Sequence, residues 1–130
     1  MESWIECAKT GFLEADVVRW TEGIWERRGP KGKRPVKIGE RVVIAEVIDV
    51  EDSGWVTLLV RDCIVKWDKT DGKANYSLRV DEELRRKQTT LERGGPERLP
   101  WSDETAREAL VVEKSAERDT RLRRDLSEED

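Results

Sequence analysis

Histidine is absent from this 130-residue chain. That removes the one side chain that ordinarily titrates near neutrality and the commonest metal ligand, and it rules out any Ser/His/Asp or Cys/His triad. Phenylalanine, tyrosine and methionine occur once each. Cysteine occurs twice, at Cys7 and Cys63, without CxxC spacing. Isolated cysteines of this kind read as reduced thiols used as small buried hydrophobes rather than as a disulfide framework or a metal site. No apolar run approaches the roughly 20 residues that cross a bilayer. The start, Met1-Glu2-Ser3-Trp4, lacks the basic and apolar regions of a secretory signal, so a cytoplasmic protein is expected.

Sequence motifs for catalysis are equally scarce. Neither GxxxxGK[ST] nor GxGxxG occurs, and Lys31-Gly32-Lys33 lacks the strand–loop–helix setting of a phosphate-binding loop. The run from Asp68 to Gly72 resembles the start of a calcium loop but lacks the third acid and the closing glutamate. Paired acids at Glu51-Asp52, Asp68/Asp71 and Asp81-Glu82-Glu83 fall at turns, where backbone hydrogen bonding accounts for them. The expectation is therefore a protein that is not an enzyme, with no cofactor and no metal.

What the chain does have is charge, 42% of its residues, and six tryptophans. The net charge is −4, but it is unevenly placed. Residues 27–41 carry seven basic side chains against one acid and residues 84–98 carry five against two, while the flanking segments are all acidic. Such islands keep their own potential because screening acts over about 8 Å at physiological salt.

The middle of the chain is the most legible part. Arg41 to Val50 and Trp55 to Trp67 are rich in β-branched residues, and Glu51-Asp52-Ser53-Gly54 between them predicts a hairpin with a four-residue loop. The apolar phase switches near Arg61-Asp62, which predicts a bulge. Ala74, Tyr76, Leu78 and Val80 alternate with polar residues and predict a third, half-exposed strand. Residues 12–28 fit either a strand or a helix ending at Gly29-Pro30. Leu84 and Leu91 suit either helical anchors or a short edge strand. Ser102, Asp103 and Glu104 begin a helix with a narrow apolar stripe. The fold class expected is mainly β (α+β): a small SH3-like antiparallel barrel or strongly twisted meander with a C-terminal helix. Its expected organisation is a barrel-like domain over 1–100, a helix over 101–124 and a disordered tail over 125–130.

The functional expectation rests on the basic islands. Gly29, Pro30, Gly32 and Pro35 keep the first one irregular, so it reads either as a solvated connector or as a loop that follows a phosphate backbone. Trp20 and Trp25 lie just upstream and could stack unpaired bases. The candidate nucleic-acid-binding residues are thus Trp20, Trp25, Arg27, Arg28, Lys31, Lys33, Arg34, Lys37, Arg85, Arg86 and Lys87, with RNA or DNA as partner. Trp20 and Trp25 lie five apart and cannot share a strand face, so one of them should be exposed. Trp55 and Trp67 are expected in the core, and Trp101 as a clamp on the C-terminal helix. The alternative is a protein–protein adaptor that uses an exposed tryptophan and the charged helix. The two readings differ on whether Arg85, Arg86 and Lys87 lie beside the 27–41 segment.

Overall fold

In the computed structural model, which describes residues 4–7, 11–26 and 34–128, the chain forms two units, 1–99 and 100–130. The first is a six-stranded antiparallel sheet. In chain order its strands are β1 (Ile5–Glu6), β2 (Val17–Glu26), β3 (Val36–Val50), β4 (Trp55–Asp68), β5 (Glu83–Lys87) and β6 (Glu97–Arg98). A six-residue helix, α1 (Gln88–Arg93), separates β5 from β6.

The β-branched runs form the two long central strands, and Glu51 to Gly54 turns the chain between them. Arg61 is the extra residue of a bulge: Ile44 pairs with Asp62 and Ala45 with Val60. Before the bulge Val56, Leu58 and Val60 all point into the core. After it the strand bends outward, and Cys63 and Val65 are only half-buried. Trp67, expected in the core, is 47% exposed because a second register shift, opposite Glu40/Arg41, makes Lys66 an extra residue and turns the ring out of phase with Cys63 and Val65. Trp55 is half-buried near the hairpin tip, with Arg85 and Lys87 over its ring.

Within the segment expected as strand or helix, the described residues 12–26 form a turn followed by β2. Alternation decides the choice: Val18, Trp20 and Ile24 are buried, and their neighbours are not. The Asp16 carboxylate accepts from the Leu13 N–H at 2.9 Å and shapes the turn that launches the strand.

The strand expected over Ala74–Val80 does not form. Ala74, Tyr76 and Leu78 are half-buried in alternation with exposed neighbours, but the segment has no ladder partner and Val80 is 63% exposed. The third meander strand is instead β5, where Leu84 and Arg86 face inward. Leu91 is fully buried on α1.

The sheet order is β1-β6-β2-β3-β4-β5. The sheet is not closed by a ladder, but β5 runs through α1 to β6 at the other side, so the strands wrap the shared core in a barrel-like curl. Gly94 makes the seam tight. Its carbonyl accepts from Thr21 N–H at 3.0 Å, and a Cβ there would collide with the Thr21 carbonyl. The core within the curl contains Trp20 with Val18, Val43, Val47, Leu58 and Leu91, the aliphatic side chains each worth roughly 1.5–3 kcal/mol of transfer free energy.

In the second unit, α2 spans Glu104–Glu128, past the end at 124 expected from sequence. Its N-cap is Asp103, one residue after the expected Ser102: the Asp103 carboxylate accepts from Ala106 N–H at 3.1 Å. Glu104 accepts from Trp101 N–H at 2.8 Å, and the Arg107 guanidinium stands 6.0 Å from the Trp101 ring.

Candidate nucleic-acid interface

On β2 the inward phase places Glu22 between Trp20 and Ile24, an acid where the pattern calls for an apolar residue. It sits opposite Arg41 of β3. Arg41 donates from Nε and Nη2 to Glu22 Oε2 at 2.9 and 2.7 Å. Arg86 arrives from β5 and donates to both carboxylate oxygens at 3.1 and 3.3 Å. The Trp20 indole N–H adds a fifth bond, at 2.9 Å to Oε1. Arg41 also donates from Nη1 to the Tyr76 carbonyl at 2.8 Å, tying down the 69–82 connection.

The Glu22 side chain is only 10% exposed. Burial disfavours its charge, but the bonds and charge from Arg86, with Trp20 and Arg41, win and hold its pKa below the usual carboxylate value. Two guanidiniums share one carboxylate, so the cluster keeps a net charge of about +1.

That cluster floors an open groove of about 800 Å³. Residues 21–25 of β2 form one wall in unbroken succession, and Thr90, Arg93 and Gly94 lie across from them. Five consecutive strand residues line a groove only along a strand edge, because a face would expose alternate residues. Trp25 and Tyr76 supply aromatic surface, and Lys37, Arg41, Arg86 and Arg93 outnumber the acids Glu22 and Glu40. Lys37 Nζ lies 2.6 Å from Glu40, and that bond and charge hold the Glu40 pKa down.

The candidate binding residues scatter instructively. Arg27, Arg28, Lys31 and Lys33 lie outside the described residues. Arg34 is exposed at the entry to β3, and Lys37 lines the groove. Trp25 is 60% exposed at the groove. Trp20 is withdrawn from the set: at 1% exposure, with its indole N–H held by Glu22, it cannot stack on a ligand.

The second basic island divides between the two faces of β5. Arg86 faces inward and joins the groove. Arg85 and Lys87 face the other way, at 4.5 and 5.3 Å from the Trp55 ring centre, and Arg85 pairs with Glu51 at 2.7 Å. Of Arg85, Arg86 and Lys87, Arg86 alone lies beside Lys37 and Arg41.

Sequence reasoning left Glu22, Gly23 and Tyr76 out of the site, and named Arg93 only as an extension of the second basic island. The inward acid between Trp20 and Ile24 was a readable signal; Tyr76 and Arg93 come to the groove only through topology. Asp68, within the calcium-loop-like run, instead accepts from the Thr70 hydroxyl and from the Thr70 and Gly72 N–H groups, which lowers its pKa. Among the described residues no cluster of three metal-ligating side chains occurs.

Fold and groove together define a small antiparallel β-domain with a mixed aromatic and cationic groove along one strand edge. The chain matches no protein-family model, no curated protein and no solved structure. No helix among the described residues is long and apolar enough to cross a membrane.

Proposed function

We propose that this chain is a non-enzymatic binding module of the SH3-like small-barrel type that takes nucleic acid along the β2 groove. The strand order supports the barrel reading, and that architecture by itself carries no function. The observation that carries the functional reading is the groove itself: an exposed tryptophan and four cations share it, and the sequence after Trp25 carries five further basic residues by position 34. Phosphates of the ligand lie against Lys37 and Arg93 in the groove, and their neutralisation releases counterions. Both groove acids, Glu22 and Glu40, are held ionised by cationic partners. Neither is poised near neutrality as a general acid or base, which supports binding rather than catalysis.

The test is oligonucleotide affinity measured across a salt series. Replacing Arg27, Arg28, Lys31, Lys33 and Arg34 together with alanine is expected to weaken binding and flatten the salt slope by roughly 0.7 to 0.9 for each phosphate no longer neutralised. An unchanged affinity and slope would remove the loop from the interface.

A second reading, docking of another protein on α2, is favoured by the exposed apolar side chains Leu110 and Val112. It predicts a larger species by light scattering, lost on deleting residues 102–130.

A further inference from the structure

The pyrrole side of the Trp25 indole lies directly against Gly23, its neighbour two residues back on the same strand face. A Cβ on Gly23 would stand 2.8 Å from Trp25 Nε1 and 3.1 Å from Cε2, so only glycine leaves room for the ring in this position. The Lys37 stem closes in beside it, 3.4 Å from the same point. The indole is thereby seated on the strand while most of it remains in solvent, 60% exposed.

A second observation concerns the backbone. The Val17 carbonyl and the Thr21 N–H bond sideways, to Leu99 and to the Gly94 carbonyl, at 2.9 and 3.0 Å. With a period of two, the N–H and C=O of Gly23 and Trp25 point to that same side. There β6 has ended and the groove begins, and no described residue pairs with them. The edge thus offers main-chain donors and acceptors next to an aromatic ring and four cations.

We infer that the groove binds unpaired, single-stranded nucleic acid, with one base stacked on the Trp25 indole and its hydrogen-bonding edge turned to the backbone of Gly23 and Trp25. This rests on the proposed nucleic-acid reading and narrows it. A duplex buries its base faces in the stack and its pairing edges in the helix, so it satisfies the cations but neither the ring nor the strand edge. Gly23 is a positioning residue, acting through the indole it seats. The charge pattern favours a polyanion over an acidic peptide strand added to the same edge, because Lys37, Arg41, Arg86 and Arg93 outnumber the groove's two acids and the sequence that follows Trp25 carries five further basic residues by position 34.

The experiment uses the full chain with single-stranded DNA and RNA oligonucleotides, the corresponding duplexes, and an acidic peptide. Single strands are expected to bind more tightly than duplexes of equal length at physiological salt. Trp25→Ala is expected to weaken single-strand binding by at least about fivefold with the salt slope unchanged. Trp25→Phe should recover part of that loss. Gly23→Ala keeps the indole but displaces it, and should lose single-strand affinity while leaving duplex binding unaltered. Trp25 is exposed, so its variants test the site and not the fold. Equal binding of Trp25→Ala and the parent, or duplex binding as tight as single-strand binding, overturns this inference and leaves the electrostatic reading standing. Binding of the peptide and of no oligonucleotide overturns both.

Discussion

The Trp20 indole donates to the Glu22 carboxylate at 2.9 Å, so the large aromatic of the core and the more buried of the two groove acids are one hydrogen-bonded unit. Groove and core are therefore energetically continuous through Glu22. Replacing Glu22 with glutamine keeps the shape but leaves two guanidiniums facing a neutral amide. Breaking a buried ion cluster from one side costs about 3 kcal/mol. A matching fall in the urea midpoint, with the slope of the transition unchanged, is the expected result.

The same carboxylate gives stability a defined pH dependence. The Glu22 pKa in the folded chain lies below its ordinary value of 4.5, because Arg86, Trp20 and Arg41 outweigh the effect of burial. A depressed carboxylate contributes stability that is complete above the unfolded value and is lost as pH falls through the folded one. Glu40 and Asp68 are shifted in the same direction and contribute with the same sign. The difference in unfolding free energy between the parent and Glu22→Gln should thus be constant above about pH 5.5 and shrink below 4.5, by at most about 1.4 kcal/mol per pH unit. Denaturation series at several pH values read this directly.

Arg85 and Arg86 are adjacent in sequence and opposite in role. Arg85 is 55% exposed in its ion pair with Glu51, so Arg85→Ala should cost under about 1 kcal/mol. Arg86 is 25% exposed and serves a 10% exposed carboxylate, so Arg86→Ala should cost about 2 kcal/mol. Paired chemical denaturation curves check the ordering. Equal losses would mean that Glu22 is adequately held by Arg41 alone.

Much of the sheet is legible from sequence, for reasons visible in particular residues. The β3–β4 hairpin shows itself because β-branched runs flank a short polar turn, and the bulge at Arg61 shows as a break in phase. The errors have a common cause. Alternation measures burial on one side and not pairing with a neighbour. Ala74, Tyr76 and Leu78 alternate because they lie against the sheet without joining it. In contrast β5 hides its inward phase, because only Leu84 is apolar and Arg86 faces in as an ion-pair partner. The site suffered similarly. The basic residues could be read from sequence, but the division of Arg85, Arg86 and Lys87 between two faces requires the strand phase. The burial of Trp20 and exposure of Trp25 follow from the phase of β2, once it is known to be a strand.

The sheet's two sides are joined by α1 and the Gly94 seam, and this fixes when the groove comes into being during folding. The β2–β3 and β3–β4 hairpins assemble from residues near one another in the chain. The pairings of Val18 with Arg98 and Ile5 with Arg98 must bring in distant residues against loop-closure entropy, which slows folding. The far wall of the groove, from Thr90 to Gly94, reaches the β2 edge only with that closure. A chain that has formed its hairpins but not its seam has the exposed tryptophan and the charges without a groove, so the proposed binding site arrives with the closing of the seam and not with the bulk of the strand content.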